Sequence, residues 1–439
     1  MRPLYLVLIL LAIRYEVGRA QTVEITDPVV ISTIGSSRAT AYTDSNKIVE
    51  TETSLFVLSL DYIDRKFSLL IREFDKGKKK IVTEHVLDNN VKDNHGGGAI
   101  VIDSNGTLHV VYGPHHGPFR YVKSKNPFDI LSWDDFVEIG SRMTYPSLSV
   151  DKENNLYLLG RQSNPNGIWS INLFTKTVGG GWSKGIKLIE PNYFSNKSNL
   201  NRSSYIRTYK SLIIDSEGAI HVVFKMYEYL PKGMKNAFSD RKNGVSYMLG
   251  YMYSEDKGNT WKSEKENVEI PVSPDNVELI DGKDNPEIAD SYLNISNLAI
   301  DSLGRPWVTY SKEYKDSTDF FVAYRNNFTW VKHEINVPNG YVFGSSGVSI
   351  IKDKAYILSN FISKERYHRD RLWGHRENRI ISLSLDLKNL TVNKIFIEEE
   401  PSWLPSMIQG FNTTTHPWCI YTSGLSGDSL TKVKLHKID

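Results

Sequence analysis

The sequence predicts one closed all-β domain, a seven-bladed β-propeller with six blades as the alternative count. It covers residues 21–439, behind a signal peptide at residues 1–20. Three observations predict this fold. A short β-hairpin pattern recurs along the chain. A tryptophan follows most copies at a near-constant interval. No segment shows sustained helical periodicity.

The hairpin pattern reads apolar, x, apolar, Asp, turn, then a second apolar run. It is clear at Ala99-Ile100-Val101-Ile102-Asp103 with Leu108-His109-Val110-Val111-Tyr112. It returns at Leu148–Asp151 with Leu156–Leu159, at Leu212–Asp215 with Ile220–Phe224, and at Leu298–Asp301 with Pro306–Tyr310. A weaker copy is Gly347–Asp353 with Ala355–Leu358. β-Branched and aromatic runs joined by Asp, Asn and Gly are hairpin signals. Trp133, Trp182 and Trp330 follow Asp103, Asp151 and Asp301 at nearly equal distances. Trp261 follows Asp215 later, which places an insertion near Tyr227–Gly244. The stretch Ser254-Glu255-Asp256-Lys257-Gly258-Asn259-Thr260-Trp261 reads S-x-D-x-G-x-T-W, similar to the Asp-box of sialidase-like propellers. Its expected role is structural: Asp and Thr tie down a turn while Trp packs between blades. Divided by seven, the mature chain leaves about 60 residues per blade, above the usual 40–50, and long loops take the excess.

Composition narrows the function. Of 439 residues, 53 are Lys or Arg and 51 are Asp or Glu, a formal net charge of +2. That balance argues against a nucleic-acid partner, which needs a basic surface. At the N-terminus, Arg2 precedes the apolar run Leu4–Ile13, and Gly18 and Ala20 frame a cleavage point before Gln21. The run is shorter than the ~20 residues of a membrane-spanning helix, and no later stretch approaches that length. A secreted or extracellular location is expected (periplasmic in a bacterium), with no membrane partner. Cleavage removes Arg2, Arg14, Arg19 and Glu16 and leaves a formally neutral chain. Cys419 is the one cysteine and reads as a buried thiol. Seven N-x-S/T sequons occur, at Asn105, Asn196, Asn201, Asn294, Asn327, Asn389 and Asn412. They lend only weak support to a glycosylated host. No tight metal-ligand spacing appears, so no cofactor is implied; a structural calcium or other metal has no clear motif.

The repeat sorts the histidines. His109 and His221 share a hairpin slot that holds Tyr157 and Trp307 elsewhere, which marks a packing position. His95, His115 and His116 have no repeat counterpart. His95 enters the first clear hairpin in Asp93-Asn94-His95-Gly96-Gly97-Gly98; His115 and His116 leave it. Two loops flanking one hairpin bring such side chains together, and the glycines let a substrate approach the backbone. Tyr145 and Tyr209 share a slot before Asp151 and Asp215, and Arg161 and Lys225 share one after them. Strand entry and exit lie side by side, so Tyr145 and Arg161 are expected as neighbours at one rim. The plainer readings are inter-blade packing for Tyr145 and a solvated charge for Arg161.

These residues carry a resemblance. Asp93-Asn94-His95, a hairpin ending Tyr112-Gly113-Pro114-His115-His116-Gly117-Pro118-Phe119-Arg120-Tyr121, then Tyr145-Pro146-Ser147-Leu148 and Arg161 together resemble the β-propeller ulvan lyases, among the BNR-type polysaccharide lyases. The likeness is strongest over about Asp93–Arg161 and continues to the Asp-box. Beyond Asp301 only propeller-like strands are recognisable. The resemblance implies His95 and Tyr145 as the acid–base pair, with Arg161 and His115 meeting the uronate carboxylate. His116 is the reserve for His115, and Tyr209 is an implied substrate contact. Gly96-Gly97-Gly98 departs from the polar residues expected there.

β-Elimination suits this set. An ionised uronate carboxylate keeps the C5 proton weakly acidic, so the enzyme must neutralise it. A guanidinium does so bidentately and stays charged. His95 is a suitable base near neutral pH. Tyr145, with its pKa lowered by Arg161, donates to O4 or takes a proton from the opposite face. Lys225 is a further expected substrate contact. So are Arg369 and Trp373 of the basic, aromatic segment Arg366–Arg376, whose plainer reading is a solvated loop. The expected partner is an anionic, sulfate-bearing polysaccharide bound by a monomer. A non-catalytic carbohydrate-binding propeller needs no His/Tyr/Arg cluster. A sialidase-like hydrolase needs three arginines from separate blades and an F/Y-R-I-P-like motif, and that motif is missing.

Overall fold

The computed structural model describes residues 27–42, 45–113, 115–165, 169–191, 205–228, 244–264, 266–314, 317–336, 341–363, 374–408, 416–425 and 430–438. Side chains at 205–210 and 394–397 are not described. The signal-peptide segment, Arg369, Trp373, the Tyr209 side chain and the sequons at Asn196, Asn201 and Asn412 therefore lie outside it.

The described residues are almost entirely antiparallel strand; the only helical element among them is the short 3-10 turn Pro286–Ile288. The pairings resolve into successive four-stranded units. Ile48–Glu50, Ser54–Ile63, Lys66–Asp75 and Lys80–Val91 form the first. Ala99–Ile102, Leu108–Tyr112 and Gly117–Lys123 form the next with the front half of the long strand Val137–Val150. The back half of that strand opens the following unit, with Leu156–Gln162, Ser170–Lys176 and Ile186–Ile189. Tyr205–Ile214, Ile220–Glu228, Val245–Ser254 and Trp261–Ser263 come next. Tyr292–Ile300 to Thr329–Glu334 and Tyr341–Ile351 to Val392–Ile397 form two more. In the last, Ser402–Met407, Trp418–Ser423 and Thr431–Lys437 accept the N-terminal strand Val29–Gly35, with Val29 opposite Leu435. First strands of successive units touch in order around a ring, and the last unit meets the first.

The core lies between units. Ile171 and Leu173 of one unit pack with Val222, Phe224 and Trp261 of the next. Leu58 and Ile71 pack with Ile100 and Val110, and Val322 and Phe343 pair the same way further along. Interior strands are covered on both faces, as in Ile220–Glu228, which is wholly buried although it carries His221, Lys225 and Glu228. The outer strand Lys80–Val91 alternates exposed and half-buried residues.

The recurring aspartate has one physical explanation. Asp103 Oδ1 accepts the backbone N–H groups of Asn105 and Thr107 at 2.9 and 2.8 Å, closing the turn. Asp151, Asp215 and Asp301 repeat this with Asn155, Ala219 and Arg305. The other oxygen receives the side chain of the shared slot. His109 Nε2 lies at 3.3 Å, Tyr157 Oη at 3.1 Å, His221 Nε2 at 3.0 Å and Trp307 Nε1 at 2.9 Å. What unites these unlike residues is a hydrogen atom to donate as well as a flat shape. The Asp-box behaves alike: Asp256 holds Thr260 through N–H and hydroxyl at 2.8 and 2.6 Å, and Trp261 is buried between units. Cys419 is buried, and burial pushes its thiol up. Asn294 is also buried and accepts from Lys225, so its sequon is closed to glycosylation in the folded chain.

Candidate active site

One register irregularity recurs in the first strand of several units. Pairing skips between Leu159 and Arg161 opposite Ser147 and Thr144. The same happens around Ile206–Lys210, Ile295–Leu298, Phe343–Ser346 and Trp403–Ser406. Such bulges re-aim side chains at a barrel or propeller rim. Tyr145 and Tyr209 both fall in these bulges, as their common slot implies. Tyr145 takes a left-handed φ of 61°, a sparsely populated conformation for a bulky residue.

Tyr145 and Arg161 are neighbours. The Arg161 guanidinium carbon lies 4.4 Å from the Tyr145 ring centre and 4.6 Å from that of Trp169. Arg161 is only 4% exposed, so the solvated-charge reading does not hold. The Tyr42 ring meets Tyr145 edge-on at 4.9 Å.

The histidines converge beside this pair. His95 and His115 stack at 4.3 Å, and His115 and His116 at 4.0 Å. Both His95 and His115 lie 6.3 Å from Tyr145, ring centre to ring centre. Asp93 links the first two. Its Oδ1 accepts the His95 backbone N–H at 2.8 Å and Nδ1 at 3.1 Å; its Oδ2 meets His115 Nδ1 at 3.0 Å. Burial raises the Asp93 pKa, but the His95 N–H and the two imidazoles outweigh it and the net shift is downward. An ionised carboxylate only accepts, so both Nδ1 atoms carry hydrogen and both Nε2 atoms present a lone pair when the rings are neutral. Neutral they are: burial first, then Arg38 and His115, push His95 down to about 4. Burial and His115 push His116 to about 4, and burial lowers His115. His116 Nδ1 is held by Ser163 Oγ at 2.8 Å. His115 in this state offers an acceptor, and becomes a donor to a carboxylate only when charged or with its tautomer reversed.

Several site residues had no repeat pattern to reveal them. Arg38 and Tyr42 come from the loop after Val29–Gly35. Arg38 Nη1 contacts His95 Nε2 and donates to Tyr42 Oη at 2.6 Å. Asp93 closes an Asx turn on the His95 backbone N–H, and its bridging role depends on the approach of His115. The glycines after His95 also have a packing role. A Cβ on Gly97 would lie 2.6 Å from the Ala41 carbonyl oxygen, so glycine lets this loop press against the loop carrying Arg38. Lys225 is fully buried, and its ammonium donates to Leu293 O at 3.2 Å and Asn294 Oδ1 at 3.0 Å. Its position is that of a tie to the next unit, not an open substrate contact.

Among the described residues, Asp93, His95 and His115 form the one group able to hold a metal ion, their ligand atoms all within 4.8 Å. Both Nδ1 atoms are engaged with Asp93, so a metal at those nitrogens requires each ring to take the opposite tautomer. No helix among the described residues is long and apolar enough to cross a membrane.

The sequence matches the family described as BNR repeat-containing family member over residues 60–337. A PL25 ulvan lyase of Pseudoalteromonas sp. (strain PLSV) is 29% identical over 104 residues, 20% of this chain and 21% of that one. An ulvan lyase of Alteromonas sp. (strain LOR) is 28% identical over 104 residues with the same coverage. The shared stretch thus spans about a fifth of these curated relatives. Among solved structures, a PL25 ulvan lyase bound to GlcA(1-4)Rha3S superposes with a TM-score of 0.70 at 13% identity, covering 94% of this chain and 96% of that one. Polysaccharide lyase Uly1 gives 0.63 at 12% identity over 94% and 100%. BP39L lectin from Burkholderia pseudomallei gives 0.52 at 9% identity over 89% and 98%. At such identities the likeness concerns the fold. The family match covers more than half the sequence, and the all-β propeller is shared along nearly its whole length: the chain belongs to the BNR repeat-containing family.

Proposed function

We propose that this chain is a secreted, monomeric polysaccharide lyase that cleaves a uronate-containing, sulfated, ulvan-like polymer by β-elimination. The observation that carries the reading is Arg161, buried between Tyr145 and Trp169, beside two histidines coupled through Asp93. A guanidinium in a desolvated site neutralises a carboxylate far better than one in water. His95 then takes the C5 proton on Nε2. The freed electron pair forms the C4–C5 double bond as the C4–O4 bond breaks, and Tyr145 returns a proton to O4. His115 adds a hydrogen bond to the uronate once its Nε2 carries a proton. Further substrate contacts are assigned to His116, Tyr209, Arg369 and Trp373. We count seven blades, the last closed by Val29–Gly35, and read residues 1–20 as a cleaved signal peptide. The short sequence likeness to two ulvan lyases supports the substrate class.

The test is incubation with a panel of uronate polysaccharides, following the near-ultraviolet absorbance of the unsaturated uronate product. Tyr145→Phe and Arg161→Ala are expected to lower kcat/KM by about 10²–10⁴ each with folding intact. Full activity in either variant overturns the assignment. Tight binding of the polymer with no turnover favours a carbohydrate-binding propeller instead.

A further inference from the structure

We propose that Arg38 is a latch on the catalytic base: in the unliganded chain it occupies the His95 lone pair, and a substrate carboxylate draws it away. The inference rests on the reading of His95 as base and goes beyond it, adding a residue and a condition for activity.

Arginine carries five N–H donors and no acceptor, and it stays charged. The contact between Arg38 Nη1 and His95 Nε2 therefore uses the imidazole lone pair. The opposite nitrogen, Nδ1, donates to Asp93 at 3.1 Å. Both ring nitrogens are engaged, and a base whose lone pair already accepts a hydrogen bond cannot take a proton from C5. The charged and titratable groups facing His95 are Arg38, His115 and Asp93, with the Tyr42 and Tyr145 rings 6.4 and 6.3 Å away, centre to centre. Of these, only Arg38 occupies Nε2. Its hold also involves Tyr42 Oη at 2.6 Å, and Tyr42 in turn packs edge-on against Tyr145.

A neutral imidazole is a weaker partner for guanidinium than a carboxylate, with which the hydrogen bonds are charge-assisted and bidentate. A uronate arriving over Arg161 thus offers Arg38 a better partner; Arg161 stacks on Tyr145, which meets edge-on the Tyr42 ring that Arg38 holds. The exchange uncovers Nε2 and places a second cation on the carboxylate. A neutral sugar offers no such exchange and leaves the base covered. The loop bearing Arg38 is otherwise fixed: Ser36 O accepts from Thr431 Oγ1 at 2.8 Å, Ser37 O from Trp403 Nε1 at 2.9 Å, and Thr40 Oγ1 donates to Leu404 O at 2.7 Å. Release is therefore a side-chain movement on an anchored backbone.

The test uses the full chain and nuclear magnetic resonance of the His95 ring, assigned with His95→Gln. The probe is glucuronate, which has no substituent at O4 to eliminate, with glucose as control. In Arg38→Gln the Nε2 resonance is expected to move and the His95 pKa to rise by about one unit, because a neighbouring cation is gone. Glucuronate is expected to move the resonance of the unmodified chain toward that of Arg38→Gln, and glucose to leave it in place. In turnover, Arg38→Gln is expected to raise KM at least tenfold and shift the acid limb of kcat/KM upward. A His95 resonance and pKa unchanged by Arg38→Gln, or unmoved by glucuronate at any concentration, overturns the latch. The outcomes separate the two readings. A polymer cleaved while His95 ignores glucuronate removes the latch alone. A latch that responds to glucuronate while no polymer is cleaved removes the lyase alone.

Discussion

Asp93 permits a sharp test, because its two oxygens serve different histidines. Oδ1 accepts from the His95 backbone at 2.8 Å and from His95 Nδ1 at 3.1 Å, whereas Oδ2 serves His115 Nδ1 at 3.0 Å. In Asp93→Asn the remaining oxygen belongs where two donors converge, so the amide nitrogen faces His115. That nitrogen donates, which forces His115 Nδ1 to accept and moves its hydrogen to Nε2. His95 keeps its tautomer. Asp93→Ala removes both supports. A hydrogen bond to a charged group contributes about 1.5–3 kcal/mol. Losing the one that orients His95 should lower kcat/KM by about ten- to a hundredfold in Asp93→Ala. Asp93→Asn should keep kcat within about threefold, and its outward-facing His115 N–H should lower KM by up to about fivefold, one neutral hydrogen bond. Since Asp93 raises the His95 pKa, both variants should move the acid limb further toward acid. The assay is the initial rate of unsaturated product across pH, with circular dichroism as the folding control. Equal losses in the two folded variants would refute the division of roles between the oxygens.

Other expectations follow from the same geometry. Arg161→Lys should lower kcat/KM by about 10²–10⁴, since an ammonium keeps the charge but neither stacks between Tyr145 and Trp169 nor binds bidentately; near-normal kinetics would show that charge alone suffices. With His95 pushed down to about 4, the base is neutral above that value, so kcat/KM should be flat toward neutral pH and fall only as pH drops through about 4. An acid limb near the ordinary histidine pKa would contradict this. Asp256→Ala removes the turn bonds to Thr260 and should cost about 1–3 kcal/mol in denaturant unfolding while leaving kcat unchanged.

Much of the architecture was legible because it is local. Each hairpin aspartate acts within six residues of itself, so Asp103, Asp151, Asp215 and Asp301 announce their turns in the sequence. Tyr145 and Arg161 were legible as neighbours for a related reason: Arg161 pairs with Thr144 across one hairpin. What was not legible depends on ring closure. Arg38 and Tyr42 reach the site only because Val29–Gly35 joins the last unit, which no nearby residue signals. Lys225 shared a slot with Arg161, yet the next unit supplies Leu293 O and Asn294 Oδ1 and buries it. Equivalent positions in a repeat have equivalent backbones, while their side chains answer to neighbours the repeat does not fix. The tautomer of His115 is likewise set by Asp93, which sits on a different loop.

Closure of the ring also sets an order in time. The strand that anchors the Arg38 loop, Thr431–Lys437, is made after every other strand described. Until it emerges and captures Val29–Gly35, a nascent chain can have made Arg38, His95, Tyr145 and Arg161 and still have the Arg38 loop unanchored. Maturation of the site thus waits on Thr431–Lys437, and a chain cut short before it would leave Val29–Gly35 without that partner.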